Sequence, residues 1–299
     1  MANKSKNFST TTKKRKMAKQ TKTPRKGKKN GKKSSGTARA LIKEEAREAE
    51  AFKLATVKGP DGKPLVRLTR RNVAKVEAMI ATDSAYRREA DRTVGPKGKY
   101  KGSEAYCVSR FVEALDGRKN IDDKEFRARV KAAVTAVDRT NSTHLNADRV
   151  GVNQISKRIA EFRRESDRES NREAIKTCLK NADLALFDEI VKRTKKGLKR
   201  RANVSFASKF CRAACFYLFE GKAEADNFPA YDTVVRENLP AYMEFYGVEP
   251  GTPKKKLGEY RVFKRVIDEI RDAAAKKNSG EMISRRGFDH LLWYYHKGQ

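Results

Sequence analysis

The sequence is poor in the features that mark secreted, metal-binding and membrane-spanning proteins. Its 299 residues include four cysteines and three histidines, and no two cysteines stand in a CxxC pair or in zinc-finger spacing. No stretch approaches the roughly 18 to 20 apolar residues of a membrane span, and no apolar signal-peptide core follows Met1. We therefore expect a reduced, intracellular protein without a metal or cofactor, neither secreted nor inserted in a membrane.

Acidic residues are scarce relative to basic ones. The chain has 38 Asp and Glu against 70 Lys and Arg, which gives a formal net charge of +32. A surplus of this size strains a compact chain by self-repulsion unless an anionic partner relieves it. We expect that partner to be a nucleic acid, contacted through its phosphate backbone. We also expect the protein to be a monomer.

The basic charge is most concentrated at the N-terminus. Residues 1–40 carry fifteen Lys and Arg and no acidic residue, and the densest run is Lys13, Lys14, Arg15 and Lys16. Because large apolar side chains are nearly absent there, burial cannot offset the entropy of ordering, and we predict a disordered basic tail. Such an arm binds phosphates with salt-dependent, sequence-independent affinity. A solvated tail that only aids solubility and a nuclear-import signal are the alternatives.

The rest of the sequence favours a mainly α fold. Two short apolar runs flank a Gly-Pro-Asp-Gly turn at residues 59–62, which predicts a β-hairpin, and Thr69 is placed to cap the helix after it. Residues 98–227 contain no proline, and their apolar residues recur at helical spacing. We divide the folded part into a helix, hairpin and helix region at 41–97 and an all-α domain at 98–299.

The segment at 203–246 carries the most chemical information. Ser205 is expected to cap a helix that points Phe206 and Phe210 inward. A polar loop then leads to an aromatic-flanked Asp232, which is expected to open a second helix. The simplest interpretation makes Asp232 an N-cap and Lys209 a solvent-facing charge.

This segment also resembles a known family. The sequence SFASKF at 205–210, followed by FPAYDTVVR at 228–236, is similar to the core of the helix-hairpin-helix DNA glycosylases, above all the 8-oxoguanine branch. The resemblance covers about 175–299 and implies a helical glycosylase-like domain that cleaves a damaged or modified base from DNA. It implies double-stranded DNA as the partner, and a DNA-associated protein of the bacterial cytoplasm and nucleoid, or of the nucleus in a eukaryote. It implies that Asp232 is the catalytic carboxylate, because a desolvated carboxylate stabilises the positive charge that develops on the sugar. It also implies that Lys209 is the Schiff-base amine if a lyase step exists.

The sequence departs from the family in the hairpin, where a glycine-lined turn normally approaches a phosphate. The corresponding segment here has one glycine and is strongly basic, so we predict phosphate contact through side-chain charge. The predicted contact residues are Lys195, Lys196, Lys199, Arg200 and Arg201. The departure keeps a second hypothesis open, a non-catalytic architectural protein that binds nucleic acid with a degenerate glycosylase fold.

Three further groups have two interpretations each. Cys211 and Cys215 share a helix face and are better explained as small core residues than as metal ligands. The sequence Trp-Tyr-Tyr at 293–295 offers either a base-stacking surface or, at helical spacing, a packing face. His290 and His296 are candidate acids or bases, although no carboxylate of known position pairs with them.

Overall fold

The structure, a computed structural model, describes residues 53–82, 92–95, 101–116, 121–141, 143, 145, 150–163, 170–192, 203–248 and 254–297. Helices make up most of these residues, and the strands among them form one two-stranded antiparallel hairpin. The predicted mainly α fold with a short preceding β-hairpin is confirmed. The predicted basic tail lies outside the described residues.

The hairpin begins the described part of the chain. Strand β1 (Thr56–Lys58) pairs with β2 (Pro64–Val66), with Val57 opposite Leu65. The turn between them includes Gly62 at a φ of +80°, a conformation that glycine adopts without a steric penalty. Helix α1 (Arg70–Thr82) follows, and the Thr69 hydroxyl accepts a hydrogen bond from the backbone N–H of Asn72 at 3.2 Å, as a cap does.

The remaining helices follow the predicted apolar stripes. They are α2 (Glu104–Leu115), α3 (Asp123–Thr140), α4 (Val150–Ala160), α5 (Asn171–Lys180), α6 (Ala185–Val191), α7 (Val204–Leu218), α8 (Thr233–Tyr246), α9 (Tyr260–Lys277) and α10 (Arg285–Lys297). Short 3-10 turns occupy Ala223–Asp226 and Lys254–Gly258. Ser103, Asp122 and Ser170 cap α2, α3 and α5 by accepting a hydrogen bond from the backbone N–H three residues later.

Helix α7 lies at the centre of this arrangement and packs against α2, α3, α5 and α6. Its inward face consists mainly of aromatic and small side chains, among them Phe206, Phe210, Cys211 and Ala214. The Phe210 ring lies 5.5 Å from that of Phe111 in α2 and 5.8 Å from that of Phe206, centroid to centroid. This packing fixes the rotation of α7, so that Lys209 and Arg212 lie together on another face.

One hydrophobic core joins the hairpin to the C-terminal helices. Val66 and Leu68 are fully buried in the same cluster as Tyr242 of α8 and Phe288 of α10. The backbone N–H of Val66 donates to the Tyr242 hydroxyl at 3.2 Å, and the Asn278 amide donates to the carbonyl of Leu68 at 2.9 Å. The hairpin is therefore an integral part of the core.

The predicted start of α7 at Ser205 is wrong. The helix begins at Val204, and the carbonyl of Asn203 already accepts the first intrahelical hydrogen bond, from Ala207 at 2.8 Å. Ser205 therefore lies in the first turn, where its carbonyl accepts a hydrogen bond from the Ser208 hydroxyl. Asn203, the N-cap, belongs to a residue type that is favoured at this position, although its side chain makes no capping hydrogen bond.

Candidate functional site

The segment at residues 228–231, between the 3-10 turn at Ala223–Asp226 and α8, positions Asp232 against α7. The hydroxyl of Ser208, a fully buried residue of α7, accepts a hydrogen bond from the backbone N–H of Tyr231 at 2.9 Å. The Tyr260 hydroxyl donates to the carbonyl of Pro229 at 2.9 Å, and Phe228 is buried in the core. These contacts fix the segment at 228–231 and therefore the position at which α8 begins.

Asp232 is the N-cap of α8. Its Oδ1 accepts a hydrogen bond from the backbone N–H of Val234 at 2.8 Å, which satisfies one of the donors that a helix start leaves unpaired. The N-cap interpretation from the sequence is confirmed, and it leaves Oδ2 turned toward α7.

Lys209 is the partner of that second oxygen. Its Nζ lies 3.7 Å from Asp232 Oδ2, and the two side chains retain 15% and 20% of their exposure. The simplest interpretation of the sequence, which made Lys209 a solvent-facing charge, is therefore wrong. The distance is that of an ion pair rather than of a close hydrogen bond, and both side chains remain partly exposed to solvent.

A second ion pair lies one turn further along α7. Arg212 Nη1 donates to Asp289 Oδ2 of α10 at 2.6 Å, and Nη2 lies 2.8 Å from His290 Nε2. Because arginine only donates, His290 Nε2 must accept and its ring proton is assigned to Nδ1. Burial lowers the pKa of His290 to about 3, which agrees with a neutral ring.

A third acidic group comes from the start of α2. Burial raises the pKa of Glu104, and Arg212 and Lys209 act in the opposite direction. The Asn141 amide donates to Glu104 Oε2 at 3.1 Å. The site thus combines three carboxylates, two cations and a neutral imidazole, drawn from α2, α7, α8 and α10.

The other residues singled out from the sequence lie elsewhere. All four cysteines are buried and none forms a disulfide, and Cys211 and Cys215 are core residues, as expected. The three aromatic residues at 293–295 are partly buried and pack against the core. The predicted phosphate-contact residues Lys13, Lys14, Arg15, Lys16, Lys195, Lys196, Lys199, Arg200 and Arg201 lie outside the described residues.

Sequence reasoning missed Glu104, Arg212 and Asp289, and gave His290 no partner. One local signal was available for Arg212. It lies three residues after Lys209 in the same helix, and residues three apart share a helix face. No local signal pairs Arg212 with Asp289, because 77 positions separate them and only the tertiary fold brings them together.

Within the described part of the chain, no helix is long and apolar enough to cross a membrane, and no group of three or more His, Cys, Asp or Glu side chains is arranged to hold a metal ion. Comparison of this chain with protein-family models, curated proteins and solved structures gives no match.

Proposed function

We propose that this chain is a DNA-binding N-glycosylase of the base-excision type that removes a damaged or modified base. The observation that carries the proposal is the 3.7 Å contact between Lys209 Nζ and Asp232 Oδ2. It joins the two residues that the resemblance names as amine and carboxylate, from two elements of the fold. The net charge of +32 supports a polyanionic partner.

The chemistry assigns one role to each group. When the bond between sugar C1′ and the base nitrogen breaks, the electron pair leaves with the base and positive charge develops on the sugar. The Asp232 carboxylate, fixed by its hydrogen bond to Val234, stabilises that charge without reorganising. Either water, or Lys209 after its ammonium has given one proton to solvent, then bonds to C1′. The proton that this nucleophile loses on bonding neutralises the departing base.

Two substitutions test the assignment, each with a matched control. Asp232→Asn keeps the cap but removes the charge, and excision from a duplex that carries one oxidised guanine is expected to fall by about 10²- to 10³-fold. Asp122→Asn is the control, because Asp122 also caps a helix, α3, where its Oδ1 accepts from the Glu125 N–H at 2.7 Å. Full excision by Asp232→Asn would refute the assigned mechanism.

The amine is tested by borohydride trapping on a duplex that carries one abasic site. Lys209→Arg keeps the positive charge but cannot form a Schiff base, so the covalent complex is expected to disappear. Lys264→Arg is the control, since Lys264 is similarly buried and its Nζ lies 3.8 Å from Asp268 Oδ2. Equal trapping by the wild type and Lys209→Arg would exclude Lys209 as the nucleophile.

One observation favours a second candidate function, a non-catalytic DNA-binding protein. Both oxygens of Asp232 have structural partners, the Val234 N–H and the Lys209 ammonium. A carboxylate used in this way needs no catalytic role to explain its position. This candidate predicts salt-dependent duplex binding by the wild type, with neither excision nor trapping.

A further inference from the structure

The second ion pair of the site has no role in the proposed chemistry, yet its geometry is unusually constrained. Arg212 Nη1 and Nη2 are held by Asp289 at 2.6 Å and His290 at 2.8 Å, so the guanidinium faces α10. Asp289 is buried, and its Oδ1 has no hydrogen-bond partner among the residues that the structure describes. A buried carboxylate with one unpaired oxygen is costly, which makes it a poor choice for stability alone.

The electrostatics of Asp289 connect it to the first pair. Burial is the largest effect and raises the pKa of its carboxyl, and the nearby charge of Asp232 raises it further. Arg212 and Lys209 act in the opposite direction, with Arg212 the stronger of the two. Two cations of α7 therefore act on two carboxylates, one at the start of α8 and one on α10.

In this arrangement Lys209 and Arg212 can compete for the same carboxylate, Asp232. A guanidinium binds a carboxylate with two parallel hydrogen bonds, whereas an ammonium binds it as a point charge. Lys209 holds Asp232 only at 3.7 Å. An unrestrained Arg212, three residues away on the same helix, would compete for Asp232 and displace the ammonium. The charges of both cations also act on Glu104, whose pKa they lower against the effect of burial.

We propose that Asp289 is a positioning residue: together with His290 it holds Arg212 against α10 and thereby reserves the Asp232 carboxylate for Lys209. Asp289 itself touches neither Lys209 nor a reacting atom in this role. Its importance for catalysis rests on the proposed function. The selection of partners within the site is a property of the protein alone and is measured without substrate.

Reductive methylation by formaldehyde and cyanoborohydride, followed by peptide mass mapping, reports how accessible each lysine amine is. In Asp289→Asn, Arg212 keeps only a neutral amide acceptor on α10 and exchanges it for the charged Asp232 carboxylate, so Lys209 is expected to be methylated about two- to fivefold faster than in the wild type. Lys264 serves as the internal control in the same digest, because its ion pair with Asp268 is comparable and includes neither Arg212 nor Asp289. The contact of Asp268 with α10 is made through Arg285.

The double variant Asp289→Asn with Arg212→Gln separates this role from general loosening. With the competitor removed, Lys209 regains Asp232, and its methylation rate is expected to return to the wild-type value. A merely structural role for Asp289 predicts no such rescue. An unchanged rate in Asp289→Asn, equal acceleration in the double variant, or parallel acceleration of Lys264 would each overturn the proposal.

Excision and trapping by the same variants then connect the result to the proposed function. We expect Asp289→Asn to lose excision and the double variant to recover part of it. If the wild type shows neither excision nor trapping, the proposed function fails, while the methylation rates still decide the role of Asp289.

Discussion

The packing of Phe210 provides a quantitative test of the core beneath the site. Phe210 is 1% exposed, and its ring lies between those of Phe111 and Phe206 at 5.5 Å and 5.8 Å. Phe210→Ala removes the ring and leaves a cavity that helices on several sides cannot fill. Such truncations cost about 3 to 5 kcal/mol. Because two aromatic contacts are lost as well, we expect the upper half of that range.

Urea unfolding followed by far-ultraviolet circular dichroism measures this loss as a change in the free energy of unfolding. Met282→Ala is the matched control, since that side chain is 42% exposed and its removal is expected to change stability by less than about 0.5 kcal/mol. A loss below about 1 kcal/mol for Phe210→Ala would show that the inward face of α7 has been assigned wrongly. The rotation that brings Lys209 to Asp232 would then be wrong as well.

Two further predictions concern pH and salt. Burial lowers the pKa of His290 from about 6.5 to about 3, so on acidification the unfolded chain takes up the proton first and stability is lost between those values. Between pH 7 and pH 5, urea unfolding of the wild type is expected to lose about 2 kcal/mol more than His290→Gln, which keeps an acceptor for Arg212. Identical pH dependence in the two proteins would contradict the buried neutral ring. Deletion of residues 1–40 is expected to weaken binding to all duplexes by a similar factor and to flatten the slope of log affinity against log salt. An unchanged slope would mean that these residues do not contact DNA.

The elements of the fold were largely predictable because they depend on local periodicity. The stripe of Val108, Phe111, Val112 and Leu115 identifies α2, and these residues are buried in the core. Thr69 and Asp232 were recognisable as caps because a cap bonds to a backbone N–H only two or three residues away. The prediction that Ser205 caps α7 was wrong because the residue type suits an N-cap, whereas Ser205 lies inside the first turn of the helix.

The candidate site was predictable only in part. Lys209 and Asp232 were named from a resemblance, but their contact depends on the hydrogen bond between Ser208 and Tyr231, 23 positions apart. The pair formed by Arg212 and Asp289 depends on the way α10 packs against the other helices. Periodicity identifies which residues share a face of one helix, whereas it contains no information about which helix lies opposite.

The docking of the hairpin has a consequence for synthesis in the cell. Val66 finds its hydrogen-bond partner Tyr242 only after 176 more residues have been made. At a typical elongation rate of about 5 to 20 residues per second, this takes on the order of 10 to 35 seconds. Throughout that interval the buried side of β2 has no C-terminal helices to cover it. A nascent chain of this protein therefore presents an uncovered β-edge and apolar surface to chaperones until its last helices emerge from the ribosome.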